Sequence, residues 1–121
     1  FSDAQIKIPL VIAWPGMPAQ QITHRTTAYD VGATLLKRVV AVQNPLEDFS
    51  VGKDLFDPKG REVFFVGSYN EDAIVAGDEV LLIKMSGALE GHSLKDWKEI
   101  DAAPLKKWVP AYLQMRGKYR Q

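Results

Sequence analysis

The chain has 121 residues, of which 46% are hydrophobic and 25% charged, and this composition predicts one globular domain with a modest core. It contains no cysteine, which excludes disulfides, thiol catalysis and zinc–thiolate sites. The apolar runs fall far short of the roughly 20 residues needed to span a bilayer, so we expect no membrane partner. Fifteen basic and fifteen acidic residues cancel, which argues against an autonomous nucleic-acid binder.

The charges are unevenly distributed along the chain. Residues 1–101 carry 10 basic and 15 acidic side chains, whereas residues 102–121 carry five basic and no acidic ones. The same segment holds the aromatic residues Trp108, Tyr112 and Tyr119. Cations attract phosphates, and aromatic rings can stack on unpaired bases. The alternative is a basic terminus whose aromatic residues dock on the protein itself. We therefore predict a β-barrel domain over residues 1–101 and a basic aromatic tail over residues 102–121.

The first half of the chain predicts one clear strand and two ambiguous segments. Ile6–Trp14 is apolar and β-branched and is followed by the turn pair Pro15-Gly16, so a strand is expected. Met17–Thr27 is polar and is either a second strand or a loop. In Asp30–Val42, Asp30 could cap a helix, but the run Val39–Val42 favours extended structure. A strand is favoured there, and a short helix remains open.

The second half predicts several short strands. Glu62–Val66 is aromatic and β-branched, and Gly77-Asp78 forms a turn that opens the apolar strand Glu79–Met85. Leu94–Ile100 is a strand or a short helix, and Ala111–Met115 is a short helical candidate in the tail. Strands at roughly ten-residue spacing are typical of a small barrel or sandwich.

Catalytic and cofactor-binding patterns are absent from the sequence. His24 and His92 are far apart, and neither has a second ligand at metal spacing. The glycines are scattered singly, as in turns, and the serines lack a nucleophile motif. We therefore expect no enzymatic activity, no catalytic or metal-binding residue and no cofactor.

An ordered series of marks runs from Gly52 to Ile100. First, a glycine-lysine pair precedes a basic loop and a strand. Next, a Gly-Asp turn opens an apolar strand. Finally, a loop with serine and lysine leads to an aromatic residue and to a strand that ends in Glu-Ile. The residues are Gly52-Lys53, Lys59, Arg61, Val63–Val66, Gly77-Asp78, Val80–Ile83, Ser93, Lys95, Trp97 and Glu99-Ile100. In this order the block resembles the seventeenth protein of the small ribosomal subunit.

The resemblance implies a mostly β fold, a small five-stranded OB-like barrel with a basic C-terminal extension. It also implies a structural constituent of the small ribosomal subunit whose partners are ribosomal RNA and neighbouring ribosomal proteins, with no small-molecule substrate. Several of the family's lysines are missing, since Pro18, Ala19 and Gln20 replace those of the first hairpin. This loss suits a divergent mitochondrial member, so the expected location is the mitochondrial matrix. The chain opens at Phe1 rather than methionine, which is consistent with processing.

The same resemblance implies which cations bind RNA. One loop would supply three of them, a second loop two, and the tail five, while Trp108 would contact a protein partner. The predicted RNA-binding residues are Lys53, Lys59, Arg61, Lys95, Lys98, Lys106, Lys107, Arg116, Lys118 and Arg120. The alternative is a small β-barrel accessory or protein-interaction subunit of another multiprotein complex that binds no RNA, which the balanced charge favours.

Overall fold

A computed structural model describes residues 6–119 of the protein, and these residues form two compact units. Unit 1 contains the described residues up to Pro18 and those from Val63 onward, and unit 2 contains Ala19–Glu62. The α-helices are α1 (Ala28–Arg38) in unit 2 and α2 (Val109–Tyr119) in unit 1, and short 3-10 helices cover Leu46–Asp48 and Ala103–Trp108. The strands are β1 (Val63–Gly67), β2 (Glu71–Ala76), β3 (Glu79–Lys84), β4 (Leu89–Ser93) and β5 (Glu99–Ile100). No helix among the described residues has the length and apolar character to cross a membrane.

The strands of unit 1 form one antiparallel sheet in the order in which they follow along the chain. In the central hairpin Ala76 pairs with Glu79, so Gly77-Asp78 makes the turn, as the sequence predicts. Gly77 has a φ of 56°, a left-handed conformation that glycine adopts without a steric penalty. The predicted five-stranded, mostly β architecture is confirmed, but the sheet is open, with β1 and β5 at opposite edges, rather than an OB-like barrel.

The two central strands are buried on both faces of the sheet. On one face Ile74 and Leu81 pack with Leu105 and Tyr112, which come from the 3-10 helix and α2. On the other face, a second buried cluster is formed by Ala73, Val75, Val80, Leu82 and Leu94. Burial on both faces explains why β3 is continuously apolar rather than alternating, because both sets of side chains leave water. The segment predicted as a tail therefore supplies one of the two layers that cover the sheet.

Unit 2 corrects the preference for a strand at Asp30–Val42. The segment begins as α1, in which Asp30 is the third helical residue and Ala33 and Thr34 are buried one turn later. Asp30 accepts a hydrogen bond from the backbone N–H of Thr27 at 2.7 Å, which satisfies a helix N-terminal donor. The β-branched run that suggested a strand lies beyond the helix, which ends at Arg38. The helical alternative is therefore the correct one.

Four other segments differ from the prediction. Ile6–Trp14 belongs to no strand among residues 6–119, although it is apolar and β-branched. Leu94–Ile100 is strand only at Glu99–Ile100, because a turn with Trp97 at a φ of 58° precedes it. Strands β2 and β4 were not predicted, because they contain Glu71-Asp72 and Gly91, residue types that are depleted in strands.

Candidate functional site

A buried carboxylate organises unit 2. Asp30 is almost fully buried, and the backbone N–H of Lys53 donates a hydrogen bond to its Oδ1 at 2.7 Å. The Nε of Arg61 donates to both of its oxygens, at 3.1 and 3.0 Å, and a second guanidinium nitrogen of Arg61 also contacts the carboxylate. Arg61 also donates to the carbonyl oxygen of Val51 at 2.6 Å. This one carboxylate therefore ties α1 to the loop that follows it in unit 2.

The surroundings of Asp30 keep it ionised. Burial alone would raise the pKa of Asp30, but the hydrogen bonds from Arg61, Lys53 and Thr27 outweigh burial and lower this pKa below the ordinary value. Gly52 lies so close to α1 that a Cβ on it would come within 2.7 Å of the Ala33 Cβ. Neither a paired carboxylate nor a close-packed backbone leaves room for a ligand. The Asp30 network is therefore structural.

Unit 1 contains an open groove of about 320 Å³ where the β1–β2 and β3–β4 turns approach α2. We call it the polar groove and define it by Tyr69, Asp72, Lys84, Met85 and Arg116. Tyr69 and Met85 lie on the two turns with 96% and 84% of their surface exposed. An exposed aromatic ring and an exposed thioether thus flank a floor of charged side chains.

Asp72 and Arg116 of the polar groove share a buried tyrosine, whose hydroxyl lies between their opposite charges. The Tyr112 hydroxyl donates a hydrogen bond to Asp72 and accepts one from Arg116 at 2.9 Å. Arg116 also lies 3.5 Å from Asp72. Burial, followed by the hydrogen bond to Asp72, raises the pKa of Tyr112 above its ordinary value. The phenol is therefore neutral at neutral pH and links α2 to β2.

The polar groove also holds a lysine between two carboxylates. The Nζ of Lys84 lies 2.7 Å from Glu71, its cross-strand partner, and 3.4 Å from Glu90. The hydrogen bond to Glu71 is the main cause that raises the pKa of Lys84 above its ordinary value. The amine is therefore protonated and carries no lone pair for nucleophilic attack.

Tyr112 and Lys84 are thus held in their ordinary charge states. A catalytic base or nucleophile needs a pKa shifted towards neutrality, and the shifts of Tyr112 and Lys84 run away from it. Within residues 6–119 no three His, Asp or Glu side chains are placed to hold a metal ion. The polar groove is thus a surface of paired charges flanked by two exposed side chains.

The role of Tyr112 can be measured by removing only its hydroxyl. We expect Tyr112→Phe to lower the free energy of unfolding by about 1 kcal/mol, because Asp72 and Arg116 lose their shared hydrogen-bond partner. Guanidinium unfolding followed by tryptophan fluorescence measures this, since all three tryptophans lie in unit 1. Tyr69→Phe makes the same chemical change at a fully exposed ring and should have no effect. Equal effects of the two variants would contradict the structural role.

The cations predicted in the two loops have different surroundings. Arg61 is engaged with Asp30, whereas Lys53 is exposed and its Nζ lies 3.4 Å from the carbonyl oxygen of Gly60. Lys59 and Lys95 are exposed on turns. Lys98 pairs with Asp96 at 3.1 Å on the surface. The structure brings Lys53 and Arg61 into one loop of unit 2, and it places Lys95 and Lys98 in one turn of unit 1.

The cations predicted in the tail lie on the helices that cover the sheet. Lys106 and Lys107 are exposed on the 3-10 helix, and the Nζ of Lys107 lies 5.2 Å from the centre of the Trp108 ring. Trp108 is half-buried against the core, so its predicted role as a partner contact stays a prediction. Lys118 is exposed on α2, Arg116 lines the polar groove, and Arg120 lies outside the described residues.

Sequence reasoning missed the two networks that the structure shows, although both left a signal. Thr27 and Asp30 stand at the spacing of a capping box, in which the acidic residue is the third helical position rather than the cap itself. Glu71 and Lys84 are equidistant from the Gly77-Asp78 turn, so they face each other once β2 is recognised. Recognising β2 would also have placed Asp72 beside the groove.

Comparison with known proteins points away from the ribosome. The chain is 30% identical over 104 residues to the inner membrane protein YejM of Salmonella typhimurium and to that of Salmonella typhi. It is 28% identical over 78 residues to an uncharacterised protein of Haemophilus influenzae. The YejM match covers 81% of this chain but 18% of the relative, so the chain spans less than a fifth of those proteins. No family model matches the chain.

These relatives correct the interpretation drawn from the ribosomal resemblance. The prediction of a small-subunit ribosomal protein in the mitochondrial matrix is wrong, because the curated relatives are bacterial proteins, two of them named for the inner membrane. The prediction of ribosomal RNA and ribosomal protein partners, with no membrane, is wrong for the same reason. The marks that suggested the family are turn and strand features that unrelated β-sheets share.

Proposed function

We propose that this chain is a non-catalytic domain of a longer bacterial protein that is held at the inner membrane. The observation that carries the proposal is the YejM match, which covers 81% of the chain. The matched share of the chain is larger than the share of residues that belongs to either compact unit, so the match must extend over both units. A relationship that covers both units supports a shared domain, and the relatives are named as inner membrane proteins, which supports the inner membrane as its location.

The charge states of the polar groove support the non-catalytic part of the proposal. Tyr112 is a neutral donor and Lys84 a protonated cation, so each acts as a structural link between elements. The exposed Tyr69 and Met85 beside them offer a contact surface of mixed character. The domain would therefore contribute packing and recognition to the longer protein.

The location is tested by fractionating bacteria that make the complete translated product of the reading frame that encodes this chain. We expect the tagged product in the inner membrane fraction after a high-salt wash. A soluble reporter protein with the same tag, made in the same cells, is the control for trapping. Recovery of the complete product with the soluble reporter would overturn the membrane assignment.

The absence of catalysis is tested separately on the purified chain. Chromogenic ester, phosphate and glycoside substrates should show no turnover above the buffer rate. Turnover that is lost in Lys84→Gln, while the variant keeps its unfolding midpoint, would contradict the proposal and would identify a catalytic amine.

A further inference from the structure

The apolar segment from Ile8 to Ala13 in unit 1 is uncovered. Ile6 packs against the core of the unit, but Ile8 is 72% exposed and Val11 94% exposed, and Leu10 and Ile12 are exposed as well. The segment is non-helical and belongs to none of the strands that residues 6–119 form. Four large apolar side chains in succession are thus left in water, although burying each would contribute about 1.5–3 kcal/mol.

The order of apolar residues in this segment indicates which kind of structure would bury it. In extended chain, successive side chains point to opposite faces, so Val11 lies on one face while Leu10 and Ile12 lie on the other. Both faces are therefore apolar. An edge strand, or a strand with one wet face, alternates between apolar and polar residues, whereas a strand covered on both faces is continuously apolar. The inner residues of this protein's own central strands, Ala73–Val75 in β2 and Val80–Leu82 in β3, follow the same rule.

A lipid surface fits the segment less well than a protein sheet does. An interfacial membrane segment has one apolar and one polar face, and it satisfies its backbone groups by forming a helix. This segment is non-helical and apolar at successive positions, so as a strand it would have two apolar faces and backbone N–H and C=O groups that need neighbouring strands. Strands on both sides and packed layers on both faces meet each of these needs.

We propose that Leu10–Ala13 forms an internal strand of a sheet whose other strands belong to the rest of a longer polypeptide. This inference rests on the proposed function, because it requires residues beyond this chain. The lengths of the curated relatives support a longer polypeptide, since the matched region is 18% of YejM and 13% of the Haemophilus protein. More than four-fifths of either relative lies outside the match, which leaves enough length for additional strands and helices.

The residues at the two ends of the segment limit the strand. Pro9 has no N–H, so it fits the first position of a strand and not its interior. At the other end the N–H of Met17 donates to the carbonyl oxygen of Trp14 at 3.2 Å, and Gly16 has a φ of 80°. This turn stops the extended run. The pairing residues are therefore those between Pro9 and the turn.

Amide hydrogen exchange tests the proposal on the complete translated product. We expect the amides of residues 10–13 to exchange about 100-fold more slowly in the complete product than in the 121-residue chain. A peptide from β3, buried in both, is the internal reference. Fast exchange at residues 10–13 in the complete product would overturn the proposal, and so would strong protection already present in the 121-residue chain.

Two further measurements test whether a second copy of the protein or a lipid covers the segment instead. Protection that disappears on dilution would show that a second copy covers the segment, and protection that requires added vesicles of phosphatidylethanolamine and phosphatidylglycerol would show a lipid contact. Either result overturns the proposal. The location of the complete product is measured independently, so a product that is soluble but protected at residues 10–13 contradicts only the membrane assignment.

A pair of variants tests the same point without exchange data. Val11→Asp should lower the thermal midpoint of the complete product, because the carboxylate would enter a covered layer, and it should leave the 121-residue chain unchanged. Val40→Asp makes the same chemical change at another exposed valine, outside the polar groove, and should change neither. Equal midpoints for Val11→Asp and Val40→Asp in the complete product would contradict an internal strand.

Discussion

Replacing Asp30 by Asn is expected to unfold unit 2 locally. The substitution keeps the shape of the side chain but leaves Arg61, whose side chain is 11% exposed, without its counter-charge. Removing one partner of a buried ion pair typically costs about 3 kcal/mol or more, because the remaining charge is left desolvated. The amide also offers only one acceptor oxygen where the carboxylate accepts from Thr27, Lys53 and Arg61.

Hydrogen exchange over residues 19–62 is the suitable measurement, because unit 2 contains no tryptophan. Amides of α1 and of the loop around Lys53 should exchange much faster in Asp30→Asn than in the parent chain. Asp48→Asn makes the same chemical change at an exposed position of unit 2 and serves as the control. If both variants exchange like the parent, Asp30 does not organise this unit.

The same carboxylate predicts how unit 2 responds to acid. The pKa of Asp30 is lowered from its ordinary value of 3.8, so the unfolded chain binds a proton at a higher pH than the folded one. Its contribution to stability is therefore complete above pH 3.8 and is lost as the pH falls through the lower folded value. Asp30→Asn should remove this part of the acid dependence, and an unchanged acid transition would contradict the assignment.

The sequence predicted the parts of the fold that local chemistry determines. Gly77-Asp78 and the apolar run of β3 were recognised because a turn residue and continuous burial both leave a local signal. Strand β2 was missed because it begins with Glu71-Asp72, whose carboxylates are satisfied by partners distant in sequence, Lys84 and Tyr112. The Asp72–Tyr112 contact joins β2 to a distant helix and leaves no local pattern, whereas the Glu71–Lys84 pair follows only once the hairpin is recognised.

Secondary structure was predicted wrongly in the segment that contains α1 and in the first apolar segment, and the reasons are different. Val39 and Val40 suggested a strand, but they follow α1, which is stabilised earlier in the segment by Asp30 and its contacts with the following loop. At Ile8–Ile12 the strand pattern is clear, yet the described residues offer no sheet for it. Local preference is overridden in the first case, and in the second the proposed strand partners lie in the rest of a longer polypeptide.

The candidate site was less predictable than the fold. Charge counting led to the tail cations and to RNA, but Arg116 points to a carboxylate and a phenol, and Arg61 to a buried aspartate. A cation that neutralises a carboxylate within the protein contributes little attraction to phosphate. Net charge over a segment therefore overstated what was available to a partner, because it ignored pairing that the fold creates.

Replacing Leu81 by Ala is expected to produce the largest loss of stability in unit 1. Leu81 is fully buried in the middle strand of the sheet and packs in the cluster with Leu105 and Tyr112 from the covering helices. A buried Leu→Ala change typically costs about 3 kcal/mol, because transfer free energy is lost and a cavity remains. The helices of the predicted tail would lose part of the surface on which they dock.

Guanidinium unfolding followed by tryptophan fluorescence measures this loss, with Leu113→Ala as the matched control. Leu113 lies on α2 with 56% of its surface exposed, so the same change there should stay within about 0.5 kcal/mol. A large effect of Leu81→Ala and a small one of Leu113→Ala would confirm that residues 103–119 are part of the folded unit. Similar small effects would mean that the helices do not rest on the sheet, and the polar groove, which needs Tyr112 and Arg116 beside β2, would lose one wall.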